Sequence, residues 1–519
     1  MGSEGNRTAV AVAAIVAVSL GVLVFTAGAE AAKAGRCEAG AAGIGDPYYP
    51  GYGNGGYDVG HYDLDLAYDP ASDTLRGRAK LRATAAENLC SLNLDLLGFD
   101  VKRIKVRNRE ARWSRDGQEL TVTPHKRLRK GRGFALSVRY SGIPVDFRDQ
   151  VYGLPIGFTP TSDGAIAVGQ PESAATWFPA NDHPSDKASY DFVVEVPDGY
   201  GVVANGKPRG TKPGQPGWTE WHWKAKAPMA SYLATIDVGH WDVHRWKTDD
   251  GLPVYDAVDP AITGGLRAQV DSSLARQGEI LDFLSDEIGR SYPFDALGAI
   301  VDPERPIAFA LETQTRPVYA AIFWTDRSGQ PTNADYVVAH ELTHQWFGDD
   351  IALRRWRDIW LNEGFATYFE YLWDGAHGGL TPHQLYVGTL AGLPADDPLW
   401  SVRIGDPGAE HLLDDAVYVR GGMTLEALRL EVGDADFSAI IRRWAGSRAG
   451  GNGTTKQFIK VAEDVAGRQL DDLFDTWLYT PEKPDVPAAK RSRTASSSTI
   501  AKVKERLEEL DRRLALGGY

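Results

Sequence analysis

Cysteine is nearly absent from this 519-residue sequence, which contains only Cys37 and Cys90. Two thiols exclude a disulfide-rich scaffold and any metal site built from four cysteines. If the chain is exported, two outcomes are open: the two cysteines pair with each other, or they are unrelated buried thiols.

Positive charge is also in deficit, with 56 Lys and Arg against 70 Asp and Glu and a net charge of −14. Because phosphate binding needs a basic surface, this balance excludes nucleic acid as the main partner. Aromatic residues are plentiful (15 Trp, 21 Tyr and 17 Phe), which excludes wholesale disorder. At 519 residues the chain is too long for one compact core, and two or three domains are expected.

The N-terminal region is typical of a targeting segment. Arg7 precedes an uncharged stretch, residues 8–29, that is rich in Ala and Val, and small residues continue to residue 32. A positive start, an apolar middle and an Ala-x-Ala site predict a secretory signal peptide. The stretch is also long enough to hold the chain in a membrane. Residues 1–32 are therefore predicted to be a signal peptide or an N-terminal anchor. The body of the chain is expected to be secreted or held at the cell surface, with membrane contact only through an uncleaved anchor.

A change of periodicity divides the remaining chain. Residues 33–56, rich in Gly, Ala, Tyr and Pro, are predicted to form an irregular linker. Beyond them, apolar and polar residues alternate in runs at 62–68, 75–83, 191–196, 218–223 and 232–238. Alternation of this kind is typical of half-buried strands, and pairs such as Asn205-Gly206 and Asp116-Gly117 favour tight turns. These features predict an antiparallel β domain over residues 57–245.

Helical periodicity dominates residues 246–480, which are predicted to form a second, mainly helical domain. One amphipathic helix is expected over residues 266–284. Further helices are predicted at 336–347, 360–373, 416–430 and 458–465. Residues 481–519 are predicted to be a linker and a charged, solvated helix at 499–516. The fold class expected is therefore a multidomain α+β protein.

One helical segment carries the sequence His340-Glu341-Leu342-Thr343-His344. Residues four apart share a helix face, so both imidazoles can converge on one metal ion. Glu341, one step round the helix, can face the open position of the metal and take a proton from bound water.

A second helical segment, residues 360–367, contains Glu363 and can pack antiparallel to the first. Two histidines and one glutamate leave a fourth position for water, as a hydrolytic zinc site requires. Copper and iron–sulfur sites would need thiolates, and calcium would need more carboxylates. The residues therefore predict one Zn²⁺ per chain. The alternative is two core histidines and a solvated glutamate.

The whole block over residues 340–369, HELTHQWFGDDIALRRWRDIWLNEGFATYF, resembles the zinc-binding block of the aminopeptidase N family of gluzincin metallopeptidases. The resemblance extends over about residues 57–479. It implies an N-terminal β domain packed on a thermolysin-like catalytic domain, with Glu341 as general base and later proton donor. The zinc ligands that it implies are His340, His344 and Glu363.

Two shorter segments are similar to substrate-binding motifs of that family. Residues 308–313, Ala-Phe-Ala-Leu-Glu-Thr, resemble its Gly-Ala-Met-Glu-Asn exopeptidase motif and imply that Glu312 grips the free α-ammonium of a substrate. The motif departs from the family pattern at Phe309, Leu311 and Thr313. Gln170-Pro171-Glu172 resembles the β-domain segment that supplies a second amine-binding carboxylate, here Glu172, with Gln170 beside it.

A third segment, residues 417–422, resembles the one that carries the tyrosine stabilising the tetrahedral intermediate, here Tyr418. As an oxyanion-hole donor, its phenol would share the charge that develops during attack. Outer partners for the zinc histidines are also expected, and Asp358, Thr367 and Glu370 are the candidates.

Taken together, these residues predict a zinc aminopeptidase acting on peptides with a free N-terminus. Two glutamates from different domains would offset the hydration that the ammonium loses, and would select chain ends. The alternatives are an inactive relative that serves as a binding module, and a zinc endopeptidase or epoxide hydrolase with the same metal centre. Full-length members of the family close the site with a large helical C-terminal domain, which the residues after 479 are too few to form. A more open cleft, or a wall supplied by another subunit, is therefore expected.

Overall fold

The structure is a computed structural model that describes residues 37–149, 153–303, 308–326, 328–486 and 495–516. The predicted signal peptide or anchor, residues 1–32, lies outside these ranges. Within them, no helix combines the length and the apolar character needed to cross a membrane. Cys37 and Cys90 are joined by a disulfide, so the paired outcome is the one found.

The β domain is built around one long sheet, and buried and more exposed residues alternate along its strands. Along β2 (Tyr57–Asp69), Tyr62, Leu64 and Leu66 are buried while their neighbours are more exposed, as the period of two predicts. In the described chain this sheet has the spatial order β14 (Lys207–Pro213), β15 (Trp218–Ala230), β12 (Lys187–Pro197), β2, β3 (Thr74–Ala85), β9 (Gly133–Gly142), β5 (Asp100–Val106) and β6 (Arg109–Glu110). Neighbours are antiparallel, as predicted, except that β12 and β2 are parallel.

Smaller sheets complete the first domain. The second sheet consists of β10 (Gly157–Pro160), β11 (Ala165–Val168), β16 (Ile236–Gly239) and β13 (Gly201–Ala204). Two-stranded pairs are formed by β1 (Glu38–Ala39) with β4 (Leu89–Ser91) and by β7 (Arg112–Asp116) with β8 (Glu119–Thr123). The predicted linker is largely irregular, but β1 and the adjacent disulfide fasten its described part to the β domain.

The catalytic domain begins with a sheet of order β17 (Asp242–Lys247), β18 (Pro253–Val258), β19 (Leu297–Asp302), β21 (Val318–Ala320) and β20 (Ala310–Leu311). Because β17 pairs with β18, residues 242–245 belong with this domain, a few residues before the predicted boundary. A short pair, β22 (Ala352–Leu353) and β23 (Asn452–Gly453), lies among the helices.

Helices form most of the catalytic domain. They are α1 (Gly264–Leu274), α2 (Gln277–Ile288), α3 (Asp335–His344), α4 (Trp360–Ala376), α5 (Pro382–Gly392), α6 (Asp415–Val432), α7 (Asp434–Ser447), α8 (Thr455–Ala466), α9 (Asp471–Phe474) and α10 (Ser497–Leu516). The predicted helix over 266–284 is divided into α1 and α2, and at the junction the Gln277 side chain donates to the Leu274 carbonyl and to Asp256.

The tail helix differs from its prediction. Sequence periodicity places a helix at 499–516, and α10 is there, but it is not solvated on all sides. Val503 is completely buried and packs against Gly388 of α5. The prediction of a solvated helix was wrong because the groove that receives Val503 is formed by residues more than a hundred positions earlier in the chain.

Candidate metal and substrate site

Helices α3 and α4 bring the three predicted zinc ligands together. His340 and His344, one turn apart on α3, have ring centroids 4.9 Å apart. Glu363 of α4 places Oε2 3.5 Å from His340 Nε2 and 3.2 Å from His344 Nε2. None of the three residues is more than 3% exposed, so the cluster is closed to bulk water.

These distances fit one tetrahedral ion. Zinc bonds of about 2.0–2.1 Å hold neighbouring ligand atoms about 3.4 Å apart, close to the observed separations. The three donor atoms also lie within 4.8 Å of one another, which one cation can span. Two imidazoles and one carboxylate are the ligand chemistry that hydrolytic zinc sites use.

The outer contacts of the histidines set their orientation. His340 Nδ1 lies 3.1 Å from Glu370 Oε2, and His344 Nδ1 lies 3.1 Å from the Phe347 carbonyl oxygen. Because both partners accept, each Nδ1 donates its hydrogen and each Nε2 is turned towards Glu363. A ring nitrogen this close to a carboxylate needs a positive charge between the two groups, either a proton or a metal ion, so the site is built for a cation.

The pKa shifts of these side chains also indicate that the site favours a positive charge. Burial acts to lower the pKa of His340, but hydrogen bonds to Glu363 and Glu370 outweigh it and raise that pKa to about 9. Burial acts to raise the pKa of Glu363, but His344 and His340 lower it to about 2. A field that favours imidazolium also favours a divalent cation at this position.

Two carboxylates lie beside the cluster. Carboxylate oxygens of Glu312 and Glu341 and a ring nitrogen of His344 lie within 4.8 Å of one another. Burial raises the pKa of Glu341 to about 8, although both histidines oppose this, and burial also raises the pKa of Glu312. Tyr232 of the β domain donates to Glu312 Oε1 at 2.9 Å, so Glu312 sits where the two domains meet.

Tyr418 is held next to His340 by a close helix crossing. Its ring stacks on the imidazole at a centroid distance of 6.1 Å. A Cβ added at Gly364 of α4 would lie 2.8 Å from the backbone of Gly421 of α6, so the two helices touch backbone to backbone. Buried Arg420 fixes α6 by donating to the carbonyls of Trp400, Val402, Thr476 and Thr480. Residues 420–422, Arg-Gly-Gly, therefore position Tyr418 by fixing how α6 packs.

Glu172 and Gln170 are buried, but their contacts lie with another part of the protein. The Tyr52 hydroxyl donates to Glu172 Oε1 at 2.5 Å. Among the described residues, Glu172 Oε2 and Gln170 Oε1 have no hydrogen-bond partner. No described contact joins either residue to Glu312 or to the zinc cluster, so the structure leaves their assigned role as a prediction. Two buried acceptors without donors are nevertheless groups that an ammonium would satisfy.

Of the predicted outer partners, only Glu370 contacts a zinc histidine in the described structure. Asp358 instead accepts from the backbone and hydroxyl of Thr455, and Thr367 packs on Gly422. The sequence reasoning missed Tyr232, whose position depends on the docking of the two domains.

Asp349 is a second residue near Glu312 that was not predicted from the sequence. It is fully buried, and within the described residues neither carboxylate oxygen has a hydrogen-bond partner. Burial and nearby Glu312 raise its pKa. In the sequence, the only indication of its position was its closeness to the end of α3, the helix that carries His340 and His344.

A second cluster of metal-ligand type lies on the β domain but is already neutralised. His61, Asp63 and Asp191 come together on the long sheet. The cations that pair with the two carboxylates are Lys80, Arg82 and Lys224. This group is a surface ion-pair network.

A β domain followed by a mainly helical domain that holds two histidines and a glutamate around one cation site is the architecture of two-domain zinc metallopeptidases. The Peptidase M1 N-terminal domain matches residues 59–233, and the Peptidase family M1 domain matches residues 273–477. The chain belongs to peptidase family M1.

Individual relatives agree with this assignment. The chain is 23% identical over 459 residues to a glutamyl aminopeptidase of Bitis rhinoceros, covering 80% of this chain and 46% of the relative. It is 26% identical over 344 residues to an aminopeptidase N of Streptomyces lividans, covering 62% of this chain and 39% of the relative. The chain thus spans about half the length, or less, of the curated relatives it matches.

A solved structure covers the fold more completely. The M1 zinc metallopeptidase of Deinococcus radiodurans is 27% identical, with a TM-score of 0.75 over 86% of this chain and 99% of that one. Mutants of that enzyme have been solved bound to L-arginine and to a Tyr-Ser-Ala substrate.

Proposed function

We propose that this protein is a zinc aminopeptidase that removes the N-terminal residue of peptides. The observation that carries the proposal is the convergence of Glu312 and Glu341 on the His340–His344–Glu363 cluster, all buried at one place. If Glu312 binds the α-ammonium of a peptide beside the general base Glu341, only the first peptide bond of that peptide can reach the base. The amino acid and tripeptide complexes of the Deinococcus relative support the same substrate class.

Proton transfer is the task of Glu341. His340, His344 and Glu363 would hold a zinc ion, which would lower the pKa of bound water and polarise the scissile carbonyl. Glu341, buried beside the metal cluster, takes a proton from the attacking water. It then returns that proton to the leaving amine, so the carboxyl is a base in the first step and an acid in the second.

Four other residues are proposed to contact the charged groups of the substrate. Tyr418, stacked beside His340, donates its phenolic hydrogen to the oxyanion that forms on the attacked carbonyl. Glu312, held by Tyr232, accepts the α-ammonium. Glu172 and Gln170 offer the two further acceptors on the β-domain side.

We also propose that the protein works outside the cytoplasm, either secreted or held by its N-terminal segment. The Cys37–Cys90 disulfide supports this, because disulfides persist mainly in oxidising compartments. The apolar segment 8–29 supports it independently.

Paired substrates test the aminopeptidase assignment. An aminoacyl arylamide with a free amine should be cleaved, whereas its N-acetylated twin should be inert because Glu312 would face a neutral amide. Glu341→Gln should keep one zinc per chain and lose activity by about a thousandfold or more. Equal cleavage of both substrates would favour an endopeptidase. Zinc-loaded wild type that cleaves neither would favour a binding module.

A further inference from the structure

The C-terminal helix α10 lies beyond the matched M1 segments, which end at residue 477. It rests on α5 at two glycines. A Cβ built at Gly388 would lie 2.5 Å from Val503 Cγ2, and one at Gly392 would lie 3.3 Å from Ile500 Cγ2. Because the two glycines of α5 leave room for the branched side chains of α10, the two helix surfaces are complementary and the docking of α10 is specified by the sequence.

Arg506 on this helix reaches into the catalytic domain. Its Nη2 donates to Glu370 Oε1, and its guanidinium carbon lies 3.5 Å from the centroid of the Tyr336 ring. Tyr336 belongs to α3 and Glu370 to α4, the two helices that carry the metal ligands. The planar guanidinium can satisfy both contacts at once, since it stacks on an aromatic face and donates from its edge.

Glu370 uses its other oxygen on a metal ligand. While Oε1 accepts from Arg506, Oε2 lies 3.1 Å from His340 Nδ1. Glu370 is 2% exposed, and a buried carboxylate needs a counter-charge to hold a single orientation. A carboxylate fixed from one side keeps the hydrogen on His340 Nδ1 and so keeps Nε2 turned towards Glu363.

We propose that Arg506 is a positioning residue of the zinc centre: acting through Glu370, it orients His340, and the C-terminal helix is thereby a working part of the metal site. The inference deepens the proposed function and rests on it for the identity of the metal. Arg506 reaches His340 only through Glu370, on the Nδ1 side of the ring, whereas Nε2 faces the predicted metal position. Its effect is therefore expected in zinc retention and not in substrate affinity.

Zinc transfer to a chelator tests the proposal on the full-length holoprotein. Arg506→Gln is expected to lose zinc to an excess of a metallochromic chelator about 3- to 30-fold faster than wild type, a smaller effect than the roughly 10- to 100-fold typical of direct partners of metal ligands. Arg506→Lys should be intermediate, because an ammonium keeps the charge but not the planar fork. Lys502→Gln, which removes the same charge from an exposed position of the same helix, should lose zinc at the wild-type rate.

A double-mutant cycle identifies the route. If Arg506 acts through Glu370, zinc loss from Arg506→Gln/Glu370→Gln should match that from Glu370→Gln alone. KM for the arylamide at saturating zinc should stay within about twofold of wild type in Arg506→Gln. Additive effects, or a change confined to KM, would overturn the proposal.

The remaining outcomes are also informative. An unchanged zinc-loss rate in Arg506→Lys and in folded Arg506→Gln removes this inference and leaves the aminopeptidase assignment intact. Faster zinc loss in a protein that cleaves no arylamide leaves this inference intact and removes the proposed activity. A wild type that binds no zinc overturns both.

Discussion

At the scale of single residues, buried carboxylates govern the chemistry. Glu172, Glu312 and Glu341 are each buried, and burial raises the pKa of each. A carboxylate in such surroundings is costly to ionise unless a cation arrives. The metal and the substrate ammonium are the two cations that suit these positions. Because each carboxylate is readily ionised only when a cation is bound, the cost of ionisation makes these positions selective for cations.

Glu172 offers a direct test of this cost, because it lies apart from the metal ligands. Burial raises its pKa to about 8, although the hydroxyl of Tyr52 opposes the shift. Below about pH 4.5 the carboxyl is protonated in both the folded and unfolded states. Between about pH 4.5 and pH 8 only the folded state keeps the proton, so the free energy of unfolding falls as pH rises.

Glu172→Gln should remove that pH dependence. Relative to wild type, the variant is expected to gain stability with rising pH, by at most about 1.4 kcal/mol per pH unit, with no further gain above about pH 8. Urea unfolding at several pH values measures the difference. The control is Glu87→Gln, which makes the same substitution at an exposed position of the β domain. A constant difference for Glu172→Gln would contradict the raised pKa.

At the scale of elements, the crossing of α4 and α6 links the predicted metal site to Tyr418, the proposed oxyanion donor. Glu363 and Gly364 are adjacent on α4, and Tyr418 lies less than one turn before Gly421 on α6. The contact at the two glycines therefore sets the separation between a zinc ligand and the Tyr418 phenol. A side chain at either glycine would have to push the backbones apart, because neither backbone can rotate away as a side chain would.

Gly364→Ala should consequently affect both stability and turnover. The added methyl group, 2.8 Å from the Gly421 backbone, is expected to cost about 1–3 kcal/mol of unfolding free energy. Because Tyr418 moves with α6, kcat for an arylamide should fall while zinc remains bound. Gly446→Ala is the matched control, since this helical glycine of α7 has open space around it and should gain up to about 1 kcal/mol. Unaltered kcat in a destabilised Gly364→Ala would separate the helix crossing from catalysis.

At the scale of the whole molecule, local patterns were predictable and long-range pairings were not. His340 and His344 are four residues apart on one helix, so the sequence alone places them on one face, with Glu341 one step round. The domain order also followed from the change of periodicity. By contrast, Arg506 meets Glu370 across 136 positions and Tyr52 meets Glu172 across 120, and neither pairing has a local signature. Such contacts exist only once α10 and the N-terminal segment have docked.

The two domains are tied together around the metal site. Asp46, in the N-terminal segment, accepts from the Trp356 amide of the catalytic domain and lies 3.2 Å from His183 of the β domain. Lys187 of β12 donates to the carbonyls of Asp349 and Asp350, directly after the histidine helix. Opening either domain would expose these buried polar groups, so the domains are expected to unfold as one unit.

Zinc removal should therefore lower the stability of the entire protein. A ligand that binds only the folded state stabilises it by about 4 kcal/mol when its free concentration is a thousand times its Kd. In calorimetry, the apoprotein is expected to show one transition at a lower temperature than the holoprotein, restored by Zn²⁺ but not by Mg²⁺, which prefers oxygen ligands. Glu363→Gln should show little dependence on added zinc. If chelation instead produced two transitions, with the β domain melting at its holo temperature, the contacts of Asp46 and Lys187 would not couple the domains.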